Sequence, residues 1–163
     1  TCALPISPVN LHLRGNCKPE YEQHLRTIFP SKMGHGLFIH ELVPHKELLS
    51  RIAEHDIGLA TEEYTPDSRN LTITNKILQY LLAGLPVIAS DTAGQKEVAA
   101  VAPESVLLFS NRQKQELASN IEYLVSNNDK LQMAKKMALD YAKNIFCWEV
   151  QEKKLIEWVK TTI

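Results

Sequence analysis

The chain has 163 residues, enough for one ordinary domain with a real core, and its 44% hydrophobic and 23% charged residues are those of a globular protein. Eighteen basic side chains stand against 19 acidic ones, so no basic excess points to nucleic acid. The longest apolar run, "ILQYLLAGLPVIA", is broken by Gln79, Gly84 and Pro86 and is too interrupted to span a bilayer. The three cysteines, Cys2, Cys17 and Cys147, are scattered and in no metal spacing, which favours free thiols in a reducing compartment.

At the N-terminus, "TCALPIS" has no charged start and no apolar region of signal-peptide length. "TCALPI" is also what a sequencing-adapter end read in frame would encode. Residues 1–8 are therefore expected to be a non-native or disordered leader, and residues 9–163 the folded domain. From Val9 the pattern alternates: strand Val9 to Arg14, helix Pro19 to Phe29, strand Leu37 to His40, helix Lys46 to Glu54, strand Ile57 to Ala60. Helix Asn75 to Ala83 precedes strand Pro86 to Ser90, and helix Gln95 to Val101 precedes strand Ser105 to Phe109. Strands separated by helices imply parallel crossovers, so the expected fold is α/β: a Rossmann-like, doubly wound parallel sheet of about five strands. After Phe109 only helices follow, near Gln113 to Ser126, Asp129 to Asn144 and Glu149 to Lys160. The last should leave Trp148, Leu155 and Trp158 partly exposed.

The segment "NLTITNKILQYLLAGLPVIASDTAG" sets a polar run before a helix and another after a strand, the places where open α/β sheets bind ligands. Asn70, Leu71, Thr72, Ile73 and Thr74 read as a loop presenting N–H groups and hydroxyls, with Thr74 or Asn75 as helix cap. Lys76 falls in the first helical turn, where a cation opposes the helix dipole by about 0.3 to 1 kcal/mol. Either a bound diphosphate explains it, or Lys76 points to solvent while Thr72 and Thr74 cap. Gln79 shares the face of Asn75 and can read sugar hydroxyls, or belongs to a solvated face. Gly84 and Pro86 read as helix end and strand start. Ser90, Asp91, Thr92 and Gly94 form a candidate second wall, with Gly94 easing a tight turn. His35, His40 and His45 do not converge as metal ligands need to, so no metal site is expected.

The block "NKILQYLLAGLPVIASDTAGQKEV", with "LHLRGN" and "VPHKELLSRIAEHDIGLA" before it and "FCWEVQEKKLIEWV" after it, resembles the C-terminal, donor-binding half of a retaining glycosyltransferase. The type is that with two Rossmann domains (GT-B), family 4 or group 1. The resemblance implies one half of a GT-B fold, with the acceptor domain absent from these residues. It implies transfer of a sugar from a nucleotide diphosphate sugar to a glycan, lipid or small-molecule acceptor, with retention and without a metal or other cofactor. A cytoplasmic enzyme of polysaccharide biosynthesis follows, with the inner membrane face and peripheral association within its reach.

By the same resemblance the backbone of Thr72, Ile73 and Thr74 meets the distal phosphate, with Asn70, Asn75 and Lys76 beside it. Gln79 stands where most members carry the second glutamate of a ribose-binding pair, and Leu71 where they carry the first, so this chain departs from the family there. Glu41, Leu42, Val43 and Pro44 match the main chain bordering the base. No catalytic residue is assigned, and a fragment of this kind is expected to be inactive alone. A sugar-nucleotide epimerase of the same architecture and a non-enzymatic regulatory or scaffold domain are the alternatives; nucleotide binding and product analysis separate them.

Overall fold

The computed structural model describes residues 7–29, 35–110 and 113–162, so Thr1 to Ile6 of the expected leader lie outside the described residues. Helices and strands alternate as β1 (Asn10–Arg14), α1 (Pro19–Ile28), β2 (Gly36–His40), α2 (His45–Ile52), β3 (Gly58–Ala60), α3 (Asp67–Leu71), α4 (Asn75–Leu82), β4 (Val87–Ser90), α5 (Ala93–Val101) and β5 (Val106–Phe109). The tail holds α6 (Lys114–Val125), α7 (Asn128–Tyr141), a π-helical turn (Ala142–Phe146) and α8 (Trp148–Thr162). The expected elements are present with shifted ends. Helix α3 was not expected, and the helix foreseen to Asn144 leaves the α form after Tyr141.

All pairing is parallel, and five strands are present among the described residues, but hydrogen bonds divide them into β1–β2 and β3–β4–β5. The physical reason lies in the two strand types. Every residue of β4 is buried, whereas neither β1 nor β2 has a buried residue. Leu11, Leu13, Leu37 and Ile39 fall on one face by period two, and His12, Arg14, Phe38 and His40 on the other.

Strand β4 is the centre. Val87 and Ala89 pack with Ile77 and Leu81 of α4 and Val98 of α5, while Ile88, pointing the other way, packs with Phe109, Leu124 of α6 and Leu131 and Ala134 of α7. Helix α7 reaches the first cluster too, through Ala138, so helices cover both faces: the fold is the Rossmann-like, doubly wound α/β class. Ile77 and Leu81 lie one turn apart on α4 and are both 0% exposed. The helix ends at Gly84, whose φ of 74° suits a residue without Cβ and whose N–H donates to the Leu81 carbonyl at 3.0 Å. Beyond the core, Trp148, Leu155 and Trp158 on α8 are exposed.

On the polar face of β1–β2, His12 Nδ1 meets His40 Nε2 at 2.9 Å, with ring centroids 5.2 Å apart and planes within 5°. That separation is the N···N contact plus two ring radii, so the rings lie end to end rather than stacked. One of the two facing nitrogens must donate and the other accept, so they cannot both carry a proton in this arrangement. Phe38 stacks on His12 at 4.7 Å and His55 leans on it at 4.6 Å.

Two predictions follow from this packing. Leu81→Ala should lower unfolding free energy by about 2 to 5 kcal/mol, read by urea denaturation, while Leu82→Ala, whose leucine is 41% exposed, should stay within about 0.5 kcal/mol. Burial, then the charges of His55, His40 and Arg14, holds His12 below its ordinary 6.5, and burial does the same to His55 against the opposing pull of Glu54. The folded state therefore takes fewer protons, so stability is whole above about pH 6.5 and is lost as pH falls below it. Urea midpoints at about pH 7.5 and about pH 5.5 should differ less in His12→Phe than in the parent.

Candidate functional site

The site grows from the carboxyl ends of β3 and β4. Ser90, the last residue of β4, is fully buried, and its hydroxyl accepts from the Glu62 N–H and donates to the Glu62 carbonyl, both at 2.6 Å. That fixes the chain leaving β3 and turns the Glu62 side chain inward, to 10% exposure. A carboxylate so sheltered needs a cation. Lys76, in the first turn of α4, meets it with Nζ 2.7 Å from Oε1.

Between them lies α3, followed by the linker Thr72–Thr74. The Asn70 side chain accepts from the Ala93 N–H at 3.0 Å, and Thr92 accepts from the Gln95 N–H at 3.4 Å, so the head of α5 is already satisfied. Gly94 lies against the linker backbone: a Cβ there would stand 2.5 Å from the Thr72 carbonyl and 2.9 Å from the Ile73 nitrogen. Asp91 accepts from the Tyr64 hydroxyl and pairs with Lys96 at 3.5 Å; burial raises its pKa, but these partners together hold it below the ordinary carboxylate range.

The head of α4 is different. Its first N–H groups have no partner within the helix, and Thr74 at the N-cap makes no side-chain cap. In front of it opens a groove of about 390 Å³ lined by Glu62, Ser68, Arg69, Thr72, Thr74, Asn75 and Lys76. The Thr74 hydroxyl oxygen is buried without a partner among the described residues. Open amides at a helix head, with two cations and hydroxyls, suit an anionic group.

Of the residues singled out from sequence, Thr72, Thr74, Asn75 and Lys76 line this groove. Several details differ from expectation. Asn70 and Leu71 end a helix rather than a loop, and the Asn70 amide turns to α5. Thr72 donates to the Ser68 carbonyl at 2.6 Å, so neither it nor Thr74 caps α4. Lys76 does not stand free for a ligand, because Glu62 holds its ammonium, although 57% of the side chain is exposed. Ser90, Thr92 and Gly94 brace the groove from behind rather than walling it, and Gly94 serves close backbone approach rather than a turn. Ile73 and half-buried Gln79 are outside the lining. So is Glu41 to Pro44 at the end of β2, where the Glu41 carbonyl accepts from Arg14 at 2.8 Å.

Sequence reading missed Glu62, Ser68 and Arg69. "PDSRNL" carries Pro and Asp at a helix start, a signal that five residues are too few to make periodic. Of the histidines, His35 accepts from the Val9 N–H and His40 pairs with His12; among the described residues no group of three His, Cys, Asp or Glu is arranged to hold a metal. No helix among them is long and apolar enough to cross a membrane.

The family described as glycosyl transferases group 1 matches residues 4–127. No curated protein matches the chain. Among solved structures, HepE from Anabaena in complex with UDP is similar at 18% identity and TM-score 0.67, over 94% of this chain and 41% of that one. Sucrose-phosphate synthase from Thermosynechococcus elongatus aligns at 16% identity and TM-score 0.71, over 98% of this chain and 47% of its own. The C-terminal domain of the glycosyl transferase group 1 family protein LpcC from Francisella tularensis aligns at 14% and 0.59, over 89% of each. These likenesses show the fold, and the chain spans about two fifths of HepE.

The tightness around Gly94 is testable by substitution. Gly94→Ala should destabilise the protein by about 1 to 3 kcal/mol, since the contact is with backbone that cannot rotate away. Hydrogen exchange should show faster exchange at Thr72 to Thr74, with β4 unchanged.

Proposed function

The chain belongs to the glycosyl transferases group 1 family, and from that premise we propose that residues 9–163 form the donor-binding domain of a retaining, family 4 glycosyltransferase. It takes a nucleotide diphosphate sugar, and the acceptor glycan, lipid or small molecule is bound by a second domain outside these residues. The observation that carries this reading is the groove at the uncapped head of α4, with its N–H groups, hydroxyls and cations. Sugar transfer breaks the bond between the anomeric carbon and the distal phosphate oxygen, and the electron pair stays on the diphosphate. Donors fixed at a helix head stabilise that growing charge without reorganising.

The neighbours lend support by what their names state: HepE is described in complex with UDP, and again with UDP and glucose. A cytoplasmic setting, metal-free transfer and peripheral contact of a full-length enzyme with the inner membrane face belong to the same reading, as does a role in polysaccharide biosynthesis. Gln79, one turn along α4 from Asn75 and Lys76, is the residue this reading assigns to the ribose; its side chain makes no hydrogen bond with any described residue. Helix α2, which follows Glu41 to Pro44, packs against α4, which favours that segment as the border of the base.

Calorimetric titration with UDP and GDP, against uridine and guanosine, tests the proposal. Gln79→Ala should weaken binding by about 1 to 3 kcal/mol, and Gln79→Glu, which supplies a full acceptor for two hydroxyls, should preserve or improve it. Equal affinity in both variants would remove Gln79 from the site. A scaffold domain predicts no nucleotide binding at all.

A further inference from the structure

Two cations line the groove, but they are not equivalent. Lys76 is committed to Glu62 at 2.7 Å, and the Glu62 carboxylate is nearly enclosed. Were Lys76 to swing toward a ligand, it would give up its 2.7 Å contact with a nearly enclosed carboxylate. The Glu62 backbone is fixed by Ser90, which holds both its N–H and its carbonyl. The pair therefore presents almost no net charge to the groove. Arg69 presents a full one: it is exposed, lines the groove from the last turn of α3 and makes no ion pair with any described residue.

The geometry points to Arg69, not Lys76, as the residue that reads the charge of the diphosphate, with the Glu62–Lys76 pair as the fixed wall that shapes the groove beside it. This rests on the donor-binding reading and adds a specificity-determining residue to it. A guanidinium offers parallel N–H donors that match two phosphate oxygens at once, which a single ammonium already shared with a carboxylate does not. Asn70, the next residue, anchors α3 to the head of α5 through the Ala93 N–H, so the short helix bearing Arg69 is held in place before any ligand arrives. Arg69 thus lines the same groove as the head of α4, and on this reading the phosphate group meets both.

The test measures UDP, uridine and inorganic pyrophosphate binding to the chain and four variants, with thermal melting as a check on folding. Arg69→Ala should reduce the preference for UDP over uridine by about tenfold or more and flatten its salt dependence; Arg69→Lys should fall between. Lys76→Ala should also weaken UDP, because it removes the cation paired with Glu62, and the double variant Glu62→Gln/Lys76→Ala should regain most of that loss. An Arg69→Ala protein with unchanged preference for UDP overturns the assignment and leaves the donor reading standing. So does a double variant as weak as Lys76→Ala, which would make Lys76 the direct ligand. Arg69-dependent pyrophosphate binding without nucleotide binding upholds Arg69 and removes the donor reading. Binding of neither removes both.

Discussion

A carboxylate removed from water must be met by a positive charge, and the meeting of Glu62 with Lys76 is the constraint around which this site is organised. Ser90 fixes Glu62 by its backbone, Glu62 fixes Lys76, and Lys76 fixes the first turn of α4 against the ends of β3 and β4. The unfavourable place of a lysine at a helix head is offset by that pairing. The same pairing leaves the helix amides, rather than the ammonium, as the open electrostatic feature of the groove.

The rest of the fold serves to hold that corner still. Strand β4 is buried on both faces, so its carboxyl end cannot shift without disturbing two hydrophobic clusters at once. From that end, Asn70 and Gly94 seat the linker between α3 and α4 on the head of α5. In contrast, β1 and β2 carry imidazoles, an arginine and an exposed Phe38 on one face, pair only with each other among the described residues, and contribute no buried side chain. Order at the groove therefore comes from the three-stranded sheet, and the two-stranded one brings Glu41 to Pro44 with less support behind it.

Membership in the glycosyl transferases group 1 family and the shared fold agree with a groove of this chemistry. What distinguishes this chain is local. Leu71 is 69% exposed and carries no group able to bind a hydroxyl. The groove's one excess positive charge comes from Arg69 on a helix of five residues.

The element pattern, the parallel α/β class and the end of α4 at Gly84 were determined by the sequence itself, because hydrophobic period, glycine and proline act over a few residues. The groove's position at the head of α4 was legible for the same reason: a polar run before an apolar helix is a local signal. Which polar residues face the groove was decided only by the tertiary structure. Thr72 turned to Ser68, Asn70 to Ala93, Ser90 to Glu62, and Lys76 to a carboxylate 14 residues before it, each choice made by what the folded chain brought within hydrogen-bond reach. Glu62 had no signature in sequence, since its importance comes from burial, and burial is a property of everything packed around a residue rather than of the residue.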